Sequence, residues 1–194
     1  KQMMRIYGAD IIDAPDNDFV AAIAMRDAFL RANSKAWSPK QFSNPYNIEC
    51  HERVTAPEIH KQVISVNRRW CAFIHGSGTG GTIEGVRRYI KKNQLNVKTC
   101  LVKPIESPHG IQGIADGKEF LAPIANMDQV IDIGTKEAIE RAKKFATESG
   151  LLVGISSGAN ILAAEKYVDQ HAPDGIVVTV LCDRGERYMS VFGE

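Results

Sequence analysis

Residues 70–92 constrain the fold more than any other stretch. The apolar run Trp70–Ile74 is followed by Gly76-Ser77-Gly78-Thr79-Gly80-Gly81-Thr82, and then by a helix-patterned segment, Ile83–Lys92. That segment places Ile83, Val86 and Ile90 on one face before Asn93 stops it. A strand, a glycine turn and a helix start together build an anion site. Glycines let backbone N–H groups approach closely, and the helix N-terminus adds positive partial charge. Threonine hydroxyls add donors suited to the three oxygens of a phosphate monoester.

The same alternation runs along the chain. Asp10–Asp13 is a short strand candidate. Pro15-Asp16-Asn17-Asp18 then offers a turn and N-cap for a helix to Ala32, with Phe19, Ala22, Ile23 and Leu30 on one side. Residues 34–46, rich in Ser, Pro and Asn, read as a connection. A helix from Pro57 to Val66 is started by Thr55. Thr99–Val102 is a second strand beyond the glycine turn, and Pro104–Pro123 is irregular. Val130–Ile133 is a strand, Thr135 caps the next helix, and Gly150 stops it. A second glycine turn, Gly154-Ile155-Ser156-Ser157-Gly158, opens a helix over Ala159–Gln170. Ile176–Leu181 is an apolar run of the kind covered on both faces. Alternating βα units of this kind predict an α/β fold, a parallel twisted sheet with helices on both faces.

Bulk properties exclude several classes. The chain has 194 residues, enough for one substantial domain or one domain plus part of another. Its formal net charge of +1 argues against a nucleic-acid partner, and no apolar run reaches the roughly 18 residues that would span a membrane. Cys50, Cys71, Cys100 and Cys182 form no CxxC pair, so neither a zinc site nor a disulfide framework is supported, and no metal is expected. A reducing, cytoplasmic compartment follows, with Cys71 and Cys100 as buried, inert thiols. His51, His60, His75, His109 and His171 show no ligand spacing and read as structural or solvated.

Three readings of the first glycine turn remain. Gly76-x-Gly78-x-x-Gly81 fits a dinucleotide fingerprint, which wants an acidic residue at the end of the next strand. That strand ends at Val102-Lys103-Pro104, and Glu106 lies beyond it. A phosphorylated cofactor accounts better for the Thr-rich second half. The third reading is a tight turn that binds nothing, against which the entropic cost of so many glycines speaks. No GxxxxGK[ST] run is present, which excludes a nucleoside triphosphatase loop.

Gly78-Thr79-Gly80-Gly81-Thr82 resembles the phosphate loop of the cysteine synthase and cystathionine β-synthase family, pyridoxal-phosphate enzymes of fold type II. Gln41-Phe42-Ser43-Asn44-Pro45 with Asn47, His51, Thr55 and Pro57-Glu58-Ile59 resembles the segment before the family's large domain. Ile111-Gln112-Gly113-Ile114 is similar to the loop facing the cofactor. Gly154-Ile155-Ser156-Ser157-Gly158-Ala159 and Asp183-Arg184-Gly185-Glu186-Arg187-Tyr188 resemble the last two signatures. All five segments occur in family order.

The resemblance implies pyridoxal 5′-phosphate as cofactor, held by Gly78, Thr79, Gly80, Gly81, Thr82, Ser156 and Asp183. Ser156 would face the pyridine nitrogen and Asp183 would support that end. Gln41 and Gly113 would contact a small amino-acid substrate. The implied activity is β-replacement on an O-activated serine, O-acetylserine plus sulfide giving cysteine and acetate, by a protein that is a homodimer when complete. Residues 1–44 would be a remnant of the N-terminal domain and 45–194 the C-terminal cofactor-binding domain. The family's Lys-Asp-Arg motif, with its Schiff-base lysine, and its Ser/Thr-Gly-Asn loop do not occur in these 194 residues. The implied catalytic set therefore contains no residue of this chain, and the alternative is an inactive truncated homologue serving as a binding or interaction module. Smaller departures are Ala56 in place of glycine, a shortened stretch between Ser107 and His109, and Cys182 in place of proline.

Overall fold

The computed structural model describes residues 1–15, 18–114 and 119–193, in two units, Lys1–Lys40 and Gln41–Glu194. Asp16 and Asn17 of the expected turn, and residues 115–118 of the expected irregular stretch, lie outside the described residues.

The first unit carries helices α1 (Gln2–Ile6) and α2 (Phe19–Ala32). Asp18 caps α2 as its sequence predicts, its carboxylate accepting from Val20 N–H (3.0 Å) and Ala21 N–H (2.9 Å). Asp10–Asp13 does not form the expected strand. Among the described residues the unit offers it no second strand to pair with, and a lone strand cannot satisfy its own backbone.

In the second unit, four apolar runs form one sheet: β1 (Trp70–Gly76), β2 (Lys98–Pro104), β3 (Gln129–Ile133) and β4 (Ile176–Thr179). Their order is β3-β2-β1-β4 and all neighbours run parallel. The chain thus steps outward from β1 to β2 and β3, then crosses back to lay β4 on the other side of β1. That reversal opens a crevice beyond the C-terminal ends of β1 and β4, where α/β sheets bind ligands.

Helices cover both faces, as expected. Alternation along β1 sends Phe73 to one face, into a cluster with Leu101, Val63 of α4 (Ala56–Ser65) and Ile83, Val86 and Ile90 of α5 (Gly81–Lys92). Ala72 and Ile74 go to the other face, against Ala159 and Ala163 of α7 (Ile155–His171). Helix α6 (Thr135–Ser149) packs on α7 through the buried Ala138 and Ala142. Fully buried Phe73, Ile74, Ile83 and Ile133 each contribute about 1.5–3 kcal/mol relative to exposure. A register shift between Trp70 and Ala72 breaks the period-two pattern, which is why Trp70 joins Phe73 rather than Ala72.

Two helix starts differ from expectation. Helix α3 (Pro45–Cys50) begins inside the expected connection 34–46, capped by Asn44, whose side chain accepts from Tyr46 N–H at 3.0 Å. It runs through a π-helical turn, His51–Thr55, directly into α4, so Thr55 lies inside a continuous helix and caps nothing. Likewise α7 begins one turn early, at Ile155 with Gly154 as its N-cap, which brings Ser156 and Ser157 into its first turn. Gly134, not Thr135, is the N-cap residue of α6, and Glu137 reaches back to its N–H at 3.1 Å.

Candidate active site

The glycine loop between β1 and α5 is shaped by two close approaches. Gly80, the N-cap residue of α5, has φ +87°, a conformation costly for any side chain. A Cβ on it would lie 2.6 Å from both the backbone nitrogen and the Cβ of Ala122. A Cβ on Gly78 would lie 2.5 Å from the Gly113 carbonyl oxygen. The loop is thereby held against two other segments, with Gly78 half-buried and Gly80 buried. Helix geometry leaves the N–H groups of the first turn of α5 without intrahelical acceptors.

Side chains fix the loop from behind. Thr79 Oγ1 accepts from Gly81 N–H (3.2 Å) and from Asn47 Nδ2 (3.0 Å), and the same amide donates to the Gln41 carbonyl (2.9 Å). Thr82 Oγ1 lies 3.2 Å from His51 Nε2, and His51 Nδ1 lies 2.9 Å from Thr55 Oγ1. The π-helical turn is what carries His51 and Thr55 to this loop. Burial lowers the His51 pKa, so its ring stays neutral to lower pH than a free imidazole does.

The second glycine turn faces the first across the crevice. Ser156 and Ser157 are buried in the first turn of α7, and Asn160 follows one turn later with 1% exposure. Asn160 Oδ1 accepts from Gly76 N–H (2.8 Å), while its Nδ2 donates to the Val180 carbonyl (3.1 Å). This one amide ties the ends of β1 and β4 to α7. The segment 182–188 is laid over the start of α7 by Gly154 N–H to the Asp183 carbonyl (3.0 Å) and Gly185 N–H to the Leu152 carbonyl (3.0 Å). Tyr188 donates its hydroxyl to Asp183 Oδ2, and its own pKa is pushed up to about 12 by burial and by that carboxylate. Asp183 Oδ1 is buried without a partner among the described residues.

These elements enclose a cavity of about 600 Å³. Gly78, Thr79, Gly80 and Thr82 line one end; Gly113, Ser156 and Asp183 also line it. Gly81 stands behind the loop, its α-carbon against the Asn47 side chain. Gln41 is exposed and is not among the lining residues. His75 and Asn160, which no sequence motif singled out, also line the cavity, as do His51 and Arg187 from two of the family-like segments. His75 directly precedes Gly76 at the functional end of β1, and Asn160 lies four residues after Ser156; those positions were the available signals.

The volume lies within the usual range for a small-molecule site. Hydroxyl and N–H donors at one end suit a phosphate. A hydroxyl and a partnerless carboxylate oxygen elsewhere suit a ring that carries hydrogen-bonding groups. The donor set therefore fits a phosphorylated aromatic cofactor. Among the described residues no group of three or more His, Cys, Asp or Glu side chains could hold a metal ion, and no helix is long and apolar enough to cross a membrane.

Comparison with known proteins accords with this chemistry. Residues 1–183 match the family described as pyridoxal-phosphate dependent enzyme. A cysteine synthase of Staphylococcus aureus (strain Mu50) is 34% identical over 202 aligned residues, covering 98% of this chain; the chain spans 64% of that relative's length. Among solved structures, a hydrogen sulfide-producing enzyme from Fusobacterium nucleatum superposes with a TM-score of 0.89 at 34% identity, over 98% of this chain and 60% of that one. An O-acetylserine dependent cystathionine beta-synthase from Helicobacter pylori gives 0.89 at 30% identity, over 97% and 64%. With the loop, the cavity and the parallel sheet in place, the chain belongs to the pyridoxal-phosphate dependent enzyme family.

Proposed function

We propose that this chain is the cofactor-seating part of a cysteine synthase-like enzyme, which replaces the β-substituent of an O-activated serine. The donor is O-acetylserine, the nucleophile sulfide, and the products are cysteine and acetate. One observation carries the reading: a single cavity at the switch point of the sheet is lined by both the glycine loop and Ser156. The cysteine synthase and cystathionine beta-synthase relatives support the substrate class.

In this reading Gly78, Thr79, Gly80, Gly81 and Thr82 hold the 5′-phosphate through backbone N–H groups and hydroxyls, aided by the helix dipole. Thr79 and Thr82 are already oriented by Asn47 and His51. When bound, pyridoxal phosphate supplies an electron sink for the substrate's Cα. Ser156 presents a neutral hydroxyl to the ring nitrogen. A hydroxyl cannot offset a pyridinium charge as a carboxylate would, so the sink stays mild and β-elimination is favoured over transamination. Asp183 is held in place by Tyr188 and keeps one carboxylate oxygen for the ring end. Gly113, with φ +94°, brings its loop close to Ser156 and leaves space for substrate. Gln41, which does not line the cavity, is given the substrate carboxylate on the family resemblance alone.

We assign residues 1–44 to the N-terminal domain and 45–194 to the cofactor-binding domain, a division supported by the compact units meeting at Lys40 and Gln41. The complete protein is taken as a cytoplasmic homodimer, and the four free cysteines favour a reducing compartment. The covalent lysine is not assigned to any residue here, because no Lys-Asp-Arg occurs in the 194 residues. The test is cysteine formation from O-acetylserine and sulfide by the native protein isolated from its source. Turnover supports the reading, and its absence with cofactor bound overturns it. The 194-residue chain alone, whose cavity is lined by no lysine among the described residues, is expected to make no cysteine from these substrates.

A further inference from the structure

The two threonines of the first glycine loop are held in different ways. Thr79 Oγ1 accepts twice, from Gly81 N–H (3.2 Å) and from Asn47 Nδ2 (3.0 Å). A hydroxyl has two lone pairs and one proton, so Thr79 has only its proton left to offer the cavity that it lines. Thr82 has no such fixed role. Its Oγ1 lies 3.2 Å from His51 Nε2, and the state of that ring decides whether it accepts or donates there.

Three groups stand in series along the cavity wall: Thr55 Oγ1, 2.9 Å from His51 Nδ1, then the imidazole, then Thr82 Oγ1. Among the described residues neither hydroxyl has another side-chain partner. Burial lowers the His51 pKa, so above neutral pH the ring carries one proton and adopts one of two tautomers. With the proton on Nδ1, the ring donates to Thr55 and Nε2 takes the Thr82 proton. Thr82 then shows the cavity only lone pairs, which repel an anion. With the proton on Nε2, Thr55 donates to Nδ1, the ring donates to Thr82, and the Thr82 proton is free for a ligand. Both arrangements make the same two hydrogen bonds, so a ligand able to use the Thr82 proton selects between them.

We propose that His51 is a positioning residue that acts as a tautomer switch: a bound oxyanion fixes its proton on Nε2 and thereby turns Thr82 into a second hydroxyl donor beside Thr79. The inference rests on the glycine loop being the phosphate site. It adds Thr55 and His51 as residues that act through Thr82, and it defines the ligand group at this point as one that only accepts, as a phosphate dianion does. No proton passes between ligand and protein. Two hydroxyls rotate, and the ring loses the Nδ1 proton to water and takes one from water at Nε2. The other hydroxyl of the loop needs no such step, because Gly81 and Asn47 already fix it.

The test labels the histidine rings of the 194-residue chain with nitrogen-15 and reads their tautomers by NMR at pH 8, with and without millimolar inorganic phosphate. The His51 signals are those that His51→Gln removes. Phosphate is expected to move His51 from the Nδ1–H to the Nε2–H form. Thr82→Ser keeps the hydroxyl and should keep this shift. Thr82→Val should bind phosphate about tenfold more weakly and lose the shift, because no proton is left for the ring to direct. A ring that holds one tautomer with and without bound phosphate, or one that shifts equally in Thr82→Val, overturns this proposal alone. A chain that binds no phosphate overturns the phosphate-site reading and this proposal with it.

Discussion

The two glycine-bearing helix starts look alike in sequence and differ in physics. At the start of α5, Gly78 and Gly80 are glycines because the loop must pass against Gly113 and Ala122. At the start of α7, Gly158 is a glycine because α6 passes there: a Cβ would run into the Ala138 carbonyl oxygen and lie 2.9 Å from Ala142 Cβ. Gly78 and Gly80 line the cavity, where we propose the cofactor phosphate sits. Gly158 lets two helices touch, and it is Ser156 beside it that lines the cavity. A shared Gly-x-x-x-Gly spacing, Gly76 to Gly80 and Gly154 to Gly158, therefore does not imply a shared role.

Substituting the glycines separates the two roles and should produce the largest effects. Gly158→Ala is expected to cost about 3–4 kcal/mol, since the obstacle is backbone that cannot turn aside. Gly80→Ala should cost about 3 kcal/mol through its positive φ and Ala122. The contrast lies in binding. Inorganic phosphate affinity, measured by calorimetry under conditions where each variant is folded, should stay within about twofold for Gly158→Ala and fall about tenfold or more for Gly80→Ala. Equal losses in both would erase the distinction.

Acid should act on the same junction next. His75 at the end of β1 has a folded pKa of about 4 against 6.5 for the free side chain. The unfolded chain binds the proton first, so the neutral ring's contribution is full above pH 6.5 and is lost as pH falls towards 4. The linkage amounts to about 3 kcal/mol over that window. Urea unfolding between pH 7 and 4 should show it, and His75→Asn should flatten the slope.

Much of this fold is legible from residues 70–181, because strand length and helix period are local properties. β1, β2, β3, α5 and α6 fall within two residues of their sequence-derived bounds. The departures have physical causes. Asn44-Pro45 is a good helix start hidden in a stretch whose Ser and Pro content reads as loop. The π-helical turn after it has no sequence period of its own. Ala159 reads as a helix start only until Gly154 is seen to serve as N-cap. The site was legible where it lies in contiguous motifs. Asn160 with Gly76, or His75 with Cys182, are pairs that only the sheet crossover brings together.

Asn160→Ala probes that crossover. It leaves Gly76 N–H and the Val180 carbonyl without their partner and should cost about 2–3 kcal/mol by thermal unfolding. A loss under about 0.5 kcal/mol would mean that water replaces the amide and that α7 does not hold the strand ends together. The smallest effect on stability belongs to Ser156→Ala. Gly154, not Ser156, is the N-cap residue, so stability should change by less than about 0.5 kcal/mol instead of the roughly 1 kcal/mol a lost cap costs. Pyridoxal phosphate affinity should fall about fivefold, the worth of one neutral hydrogen bond.

The most direct measurement is a crystal structure of residues 1–194 grown with millimolar pyridoxal 5′-phosphate. The account predicts the phosphate against Gly78–Thr82 at the start of α5, with the ring nitrogen within hydrogen-bonding distance of Ser156 Oγ. A phosphate seated elsewhere, or a ring whose nitrogen turns away from Ser156, would contradict it.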